Sequence, residues 1–174
     1  DPQLQAYYLR MAERYAGSPA AVDAPARRAR FEDVAAQSQW ADPDNIEVSD
    51  LSIDGPAGQL PARLFRPSNI DAPRLIVYFH GGGWVVGSPR THHTVAALLA
   101  ADTGCAVASV DYRLAPEHAF PAPADDALAA VQWFADARAR LGFATDFLAV
   151  AGDSAGAHLA ATAARAINDA ASRH

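Results

Sequence analysis

Leu4, Tyr7, Tyr8, Met11 and Tyr15 recur at helical spacing, which predicts an amphipathic helix from Leu4 to Ala16. A second helix is expected from Ala24 to Trp40, with Pro25 at a position suited to a helix start. From Ile46 the period drops to two. Ile46–Asp54 and Leu60–Phe65 alternate as antiparallel strands across a turn built on Gly55, Pro56 and Gly58. Alternation then gives way to unbroken apolar runs at Leu75–Phe79 and Cys105–Val110, the pattern of parallel strands buried on both faces. A helix over His92–Ala101 lies between them, which completes a βαβ unit. A proline-punctuated loop then runs to about Pro123, and a helix over Asp125–Leu141 follows, with Trp133 and Phe134 turned to the sheet. The apolar run Phe147–Ala151 leads into a last helical stretch, Ala157–Ile167. No repeat, low-complexity segment or linker interrupts this order.

Composition narrows the class. An apolar fraction of 51% with 20% charged residues describes a globular chain, not a disordered one. The formal charge of −6 argues against a nucleic-acid partner. The densest basic run, Arg27-Arg28-Ala29-Arg30, has Glu32 and Asp33 beside it and reads as a solvated helix face. Cys105 is the only cysteine, so no intrachain disulfide can form, and its apolar neighbours predict core packing. No signal-peptide pattern and no apolar stretch of membrane-spanning length is present. A cytoplasmic protein without stable membrane insertion is the expectation.

The chemistry sits where strands end. Gly152-Asp153-Ser154-Ala155-Gly156 lies between the strand Phe147–Ala151 and a helix, the position of a nucleophile elbow. So tight a turn strains the serine backbone and requires neighbours without side chains, lest they collide. It also aims the Ala155 N–H and the helix N-terminus at any negative charge developing on a bound carbonyl oxygen. Upstream, His80-Gly81-Gly82-Gly83-Trp84 leaves the strand Leu75–Phe79. Three glycines let the backbone bend and present N–H groups to a ligand.

These two blocks, with Asp111-Tyr112-Arg113-Leu114-Ala115-Pro116-Glu117 between them, resemble the hormone-sensitive-lipase-like group of carboxylesterases in order and spacing. The resemblance covers residues 75 to 160 closely, and the first seventy residues only in kind. It implies an α/β-hydrolase fold: a mostly parallel sheet, lid helices over 1–44, the front of the catalytic domain over 45–174, and the later part of the fold lying outside this chain. It also implies Ser154 as nucleophile, an oxyanion hole formed by the N–H groups of Gly82, Gly83 and Ala155, and His80 as a structural residue that pins the loop. Gly81, Gly152, Asp153, Gly156 and Glu117 would support the site. Trp84 would line the acyl or alcohol pocket, or pack under the lid. No cofactor or metal is called for. One departure is visible: Ala157 and His158 stand where the family has a glycine and an asparagine.

A serine hydroxyl needs a base, and the base needs an orienting acid. In this fold the order is Ser, then Asp or Glu, then His. Only twenty residues follow Ser154, and the helix uses nearly all of them. The chain is therefore expected to be the front portion of a longer ester hydrolase. Its partners would be a small ester substrate with a short to medium acyl chain and the remaining C-terminal portion; a homodimer is possible. Among the internal histidines, His158 points along a helix away from the catalytic edge, His92 and His93 suit surface or capping roles, and His118 suits holding the proline loop. Asp111, Arg113 and Glu117 are expected to form buried ion pairs that fix that loop. Asp153 is excluded as triad acid, because the elbow turns its side chain away. The alternative to catalysis is a truncated or inactive relative that binds a small molecule without turnover.

Overall fold

The two unbroken apolar runs become the fully buried strands β3 (Leu75–Phe79) and β4 (Ala106–Val110) of one five-stranded sheet. The computed structural model describes residues 23–171, together with positions 2, 3, 5, 6 and 9. The helix expected over 4–16 falls almost wholly outside the described residues. Sheet order is β1-β2-β4-β3-β5, where β1 spans Ile46–Gly55, β2 Gly58–Pro67 and β5 Leu148–Gly152. The alternating pair β1 and β2 forms a hairpin that joins β4 antiparallel, while β4, β3 and β5 run parallel.

Because side chains alternate across a strand, β3 and β4 feed two separate cores. Leu75, Val77, Phe79, Ala106, Ala108 and Val110 pack with α3 (Ala122–Ala137) and α4 (Ala155–Ala171), through Ala127, Ala130, Phe134, Leu159 and Ala163. Ile76, Tyr78 and Val107 face the other way, onto Ala96, Ala97 and Ala100 of α2 (His93–Thr103). Helices thus cover both faces, the arrangement that unbroken apolar strands require.

Some boundaries and side-chain roles differ from expectation. The first described helix, α1 (Ala24–Ala36), starts as predicted: Asp23 caps it by accepting the Ala26 N–H at 2.8 Å, and Pro25 sits in its first turn. It stops four residues short of Trp40, which is left exposed. α3 begins at Ala122, ahead of Asp125, because Pro123 fits the first helical turn where no N–H is needed. Of the two expected sheet-facing aromatics on α3, Phe134 is fully buried and Trp133 packs at the margin of the core. Cys105 precedes β4 rather than opening it and is only partly buried. Among the described residues no helix is long and apolar enough to cross a membrane.

Candidate active site

Parallel pairing aligns Phe79 of β3 with Gly152 of β5, so the two strands end level at one edge of the sheet. The triple-glycine loop leaves from one strand and the serine turn from its neighbour, about 4.8 Å away. Ser154 is exposed on that edge with φ +51°, a left-handed conformation that costs a non-glycine residue roughly 1–3 kcal/mol. The α4 helix starts at once: Gly156 N–H donates to Asp153 O at 2.8 Å, and His158 N–H to Ser154 O at 3.2 Å. A Cβ on Gly156 would fall on the Phe79 carbonyl oxygen, so only glycine lets the helix approach the end of β3 this closely.

The glycine loop is folded onto the elbow by a few polar groups. Gly82 turns at φ +133°, and its carbonyl accepts the Val85 and Val86 N–H groups at 3.1 and 3.0 Å. Asp153 lies beneath the loop. Its Oδ1 accepts the Gly81 N–H at 2.8 Å and the Tyr78 hydroxyl at 2.7 Å, and His92 Nε2 stands 3.5 Å away. These bonds engage the Asp153 carboxylate with the loop and tie loop to elbow directly. His80 is fully buried, stacked on Tyr112 at 4.4 Å between ring centres. Tyr112 donates its hydroxyl to the His80 carbonyl at 2.7 Å. Burial pushes the His80 imidazole down to about 4, so at neutral pH it carries one proton. Its contact with the Gly81 carbonyl, 2.8 Å from Nδ1, puts that proton on Nδ1.

Four expectations need correction. Arg113, Asp111 and Glu117 do not share an ion-pair cluster. Arg113 pairs with Asp126, a buried carboxylate on α3, at 2.7 Å. Glu117 is exposed and pairs with Arg28, while burial raises the pKa of Asp111. His92 takes the N-cap position of α2 without a capping bond from its side chain, but it is not a surface residue: only 12% of its side chain is exposed, and it sits between Asp153 and the rings of His80 and Phe31. His118 is exposed, and the loop it was expected to hold is held by Arg28 and Arg113. Arg28 itself is no solvated residue. It donates to the Val85 and Ala115 carbonyls, each at 2.8 Å, and grips both Glu117 oxygens.

Beside the elbow lies a largely apolar cavity of about 350 Å³, walled by Gly83, Trp84, Ala115, Phe120, His158 and Leu159. Trp84 (φ +60°) sets its ring edge-on to His158, 5.7 Å between centres. His158 thus faces Trp84, and among the described residues no histidine hydrogen-bonds the Ser154 hydroxyl. The residues that sequence reasoning missed are Arg28, Tyr78, Tyr112 and Asp126. For Arg28 a signal existed: Arg28, Phe31 and Glu32 share one helix face by i, i+3, i+4 spacing. That whole face docks, with Ser88 donating its hydroxyl to Glu32 at 2.6 Å.

A family profile described as the alpha/beta hydrolase fold matches residues 76–174. The chain is 45% identical to the carboxylic ester hydrolase LipN of Mycobacterium tuberculosis, over 72% of this chain and 34% of that protein. It is 41% identical to an ethyl acetate hydrolase of Pseudomonas putida, over 92% of this chain and 53% of that one. Among solved structures, a hyperthermophilic esterase from Pyrobaculum calidifontis superposes with a TM-score of 0.90 at 39% identity, covering 98% of this chain and 55% of that one. The chain therefore spans between a third and about half the length of these relatives.

Proposed function

The chain belongs to the α/β-hydrolase fold family, and on that premise we propose that it carries the nucleophile and oxyanion hole of a serine-dependent carboxylic ester hydrolase. Ser154 Oγ attacks the ester carbonyl. The N–H groups of Gly82, Gly83 and Ala155 stabilise the resulting oxyanion, each such donor being worth roughly 10²- to 10³-fold in rate. The alcohol leaves, and water then hydrolyses the acyl-serine. An Asp and a His from sequence beyond this chain act as orienting acid and general base, in the order usual for this fold. Short- to medium-chain acyl esters are the proposed substrates, with Trp84 lining the cavity that receives one of the two ester groups. Esterase names among the relatives support the reaction class.

One observation carries the reading: a serine held at φ +51° on the strand edge where, one strand over and in register, the glycine loop begins. A structural serine has no reason to be held there. The test uses the full-length protein. It is expected to hydrolyse p-nitrophenyl butyrate and to be labelled by a fluorophosphonate on Ser154. Ser154→Ala is expected to lose labelling and to lower turnover by about 10⁶-fold. Full-length protein that binds butyrate esters without turnover or labelling would instead support the small-molecule-binding alternative.

A further inference from the structure

We propose that Arg28, on the helix ahead of the sheet, is a positioning residue that fixes the spacing of the two loops in the apolar cavity's wall and thereby sets which ester groups fit. The proposal rests on the ester-hydrolase reading of that cavity. Gly83 and Trp84 of the glycine loop form one part of its wall and Ala115 and Phe120 of the proline loop another, with α3 and α4 supplying the rest. The guanidinium spans both. Nε donates to the Val85 carbonyl, one residue past Trp84, and Nη2 donates to the Ala115 carbonyl, each at 2.8 Å. Among the described residues, one backbone bond joins these loops directly, Ala115 N–H to Trp84 O at 2.8 Å. Glu117, on the proline loop itself, grips the same guanidinium from Nη1 at 3.0 Å and from Nη2 at 2.6 Å. Four acceptor oxygens on three residues match a planar five-donor fork, and a lysine ammonium with three donors cannot reach all four in that geometry.

The arrangement gives Arg28 a role distinct from that of a surface ion pair. Loss of the fork leaves two carbonyls without their donor and lets the loops separate. A looser cavity still admits a methyl group, which fills little of it, but grips a longer chain less well. Selectivity should then fall while acetyl-ester turnover is retained. A purely structural contact would instead lower activity on all esters alike.

The experiment compares full-length parent, Arg28→Lys and Arg28→Met on p-nitrophenyl acetate and hexanoate. The expected result is a fall of about fivefold or more in the ratio of kcat/KM for hexanoate to that for acetate, mainly through KM for hexanoate. Arg28→Lys keeps the charge opposite Glu117 but not the fork, so it is expected to lose the ratio too. A ratio within about twofold of the parent in Arg28→Lys overturns the proposal, and that variant decides the matter if Arg28→Met does not fold. Binding of 1-hexanol, followed on the Trp84 indole resonance, gives a readout free of turnover. If the parent binds hexanol without hydrolysing either ester, the ester-hydrolase reading fails. The wall-spacing inference then stands or falls on whether Arg28→Lys weakens hexanol binding by about threefold.

Discussion

Ser154 pays for its exposure with backbone strain, which separates stability from activity at a single residue. Glycine adopts φ +51° without a Cβ penalty, whereas alanine keeps it. Ser154→Gly is therefore expected to be more stable than Ser154→Ala by about 1 kcal/mol in urea unfolding, with both inactive. The reverse order would mean that the turn is not strained. His80 makes a second prediction. Its folded value of about 4 lies below the ordinary 6.5, so between those values the unfolded chain binds a proton that the folded chain does not. Stability then rises with pH across that window: the contribution is complete above about 6.5 and falls away towards 4, by an amount on the order of 3 kcal/mol. Asp111, raised by burial and by Glu32, acts in the opposite sense. The difference between parent and His80→Asn thus carries the test, and urea midpoints at pH 5 and 6.5 should converge in the variant. The elbow glycines were legible in the sequence because sterics leave no alternative at Gly156. Arg28 was legible only as sharing a helix face with Phe31 and Glu32, since a helix sequence does not reveal what lies opposite that face.

The strands were legible for a related reason. β3 and β4 are apolar at nearly every position because both faces are covered, and no amphipathic helix tolerates that pattern. Helix ends were less so. α1 stops at Ala36 although Trp40 continues the apolar spacing, and the residues just beyond bond elsewhere, Gln39 to the Arg90 carbonyl and the Trp40 N–H to the Thr94 hydroxyl. The proline loop could be read only as a loop. Its anchoring pair joins Arg113 to a carboxylate thirteen residues on, and the Arg113 N–H also donates to Asp126 at 2.9 Å. The Asp126 side chain is 2% exposed, so removing it leaves the Arg113 backbone N–H without that acceptor and the guanidinium, 26% exposed, with the Ala122 carbonyl at 3.4 Å. Asp126→Ala is expected to lower the unfolding free energy of the full-length protein by about 3–5 kcal/mol, measured by urea titration. A loss below about 1 kcal/mol would show that the loop is held by its apolar contacts instead.

At the level of the whole molecule, β5 bears the nucleophile turn yet is the least covered strand of the parallel set. Every residue of β5 is only partly buried, although β3 and β4 beside it are buried throughout. Its composition, Leu-Ala-Val-Ala-Gly, is that of an interior strand, and one edge pairs with β3 while the other has no partner among the described residues. An apolar edge of that kind recruits a further strand or aggregates. The matched region makes up 34% and 53% of two relatives, and the proposal that acid and base come from later sequence implies that the same sequence also covers this edge. Hydrogen exchange reads this out. In the full-length protein, the Leu148–Gly152 amides should exchange as slowly as those of Leu75–Phe79. In a polypeptide limited to these 174 residues they should exchange faster by about an order of magnitude or more, with the β3 amides less affected. Equal protection of β5 in both would mean that this half of the sheet is self-sufficient, and that later sequence supplies catalytic groups without completing the scaffold that presents Ser154.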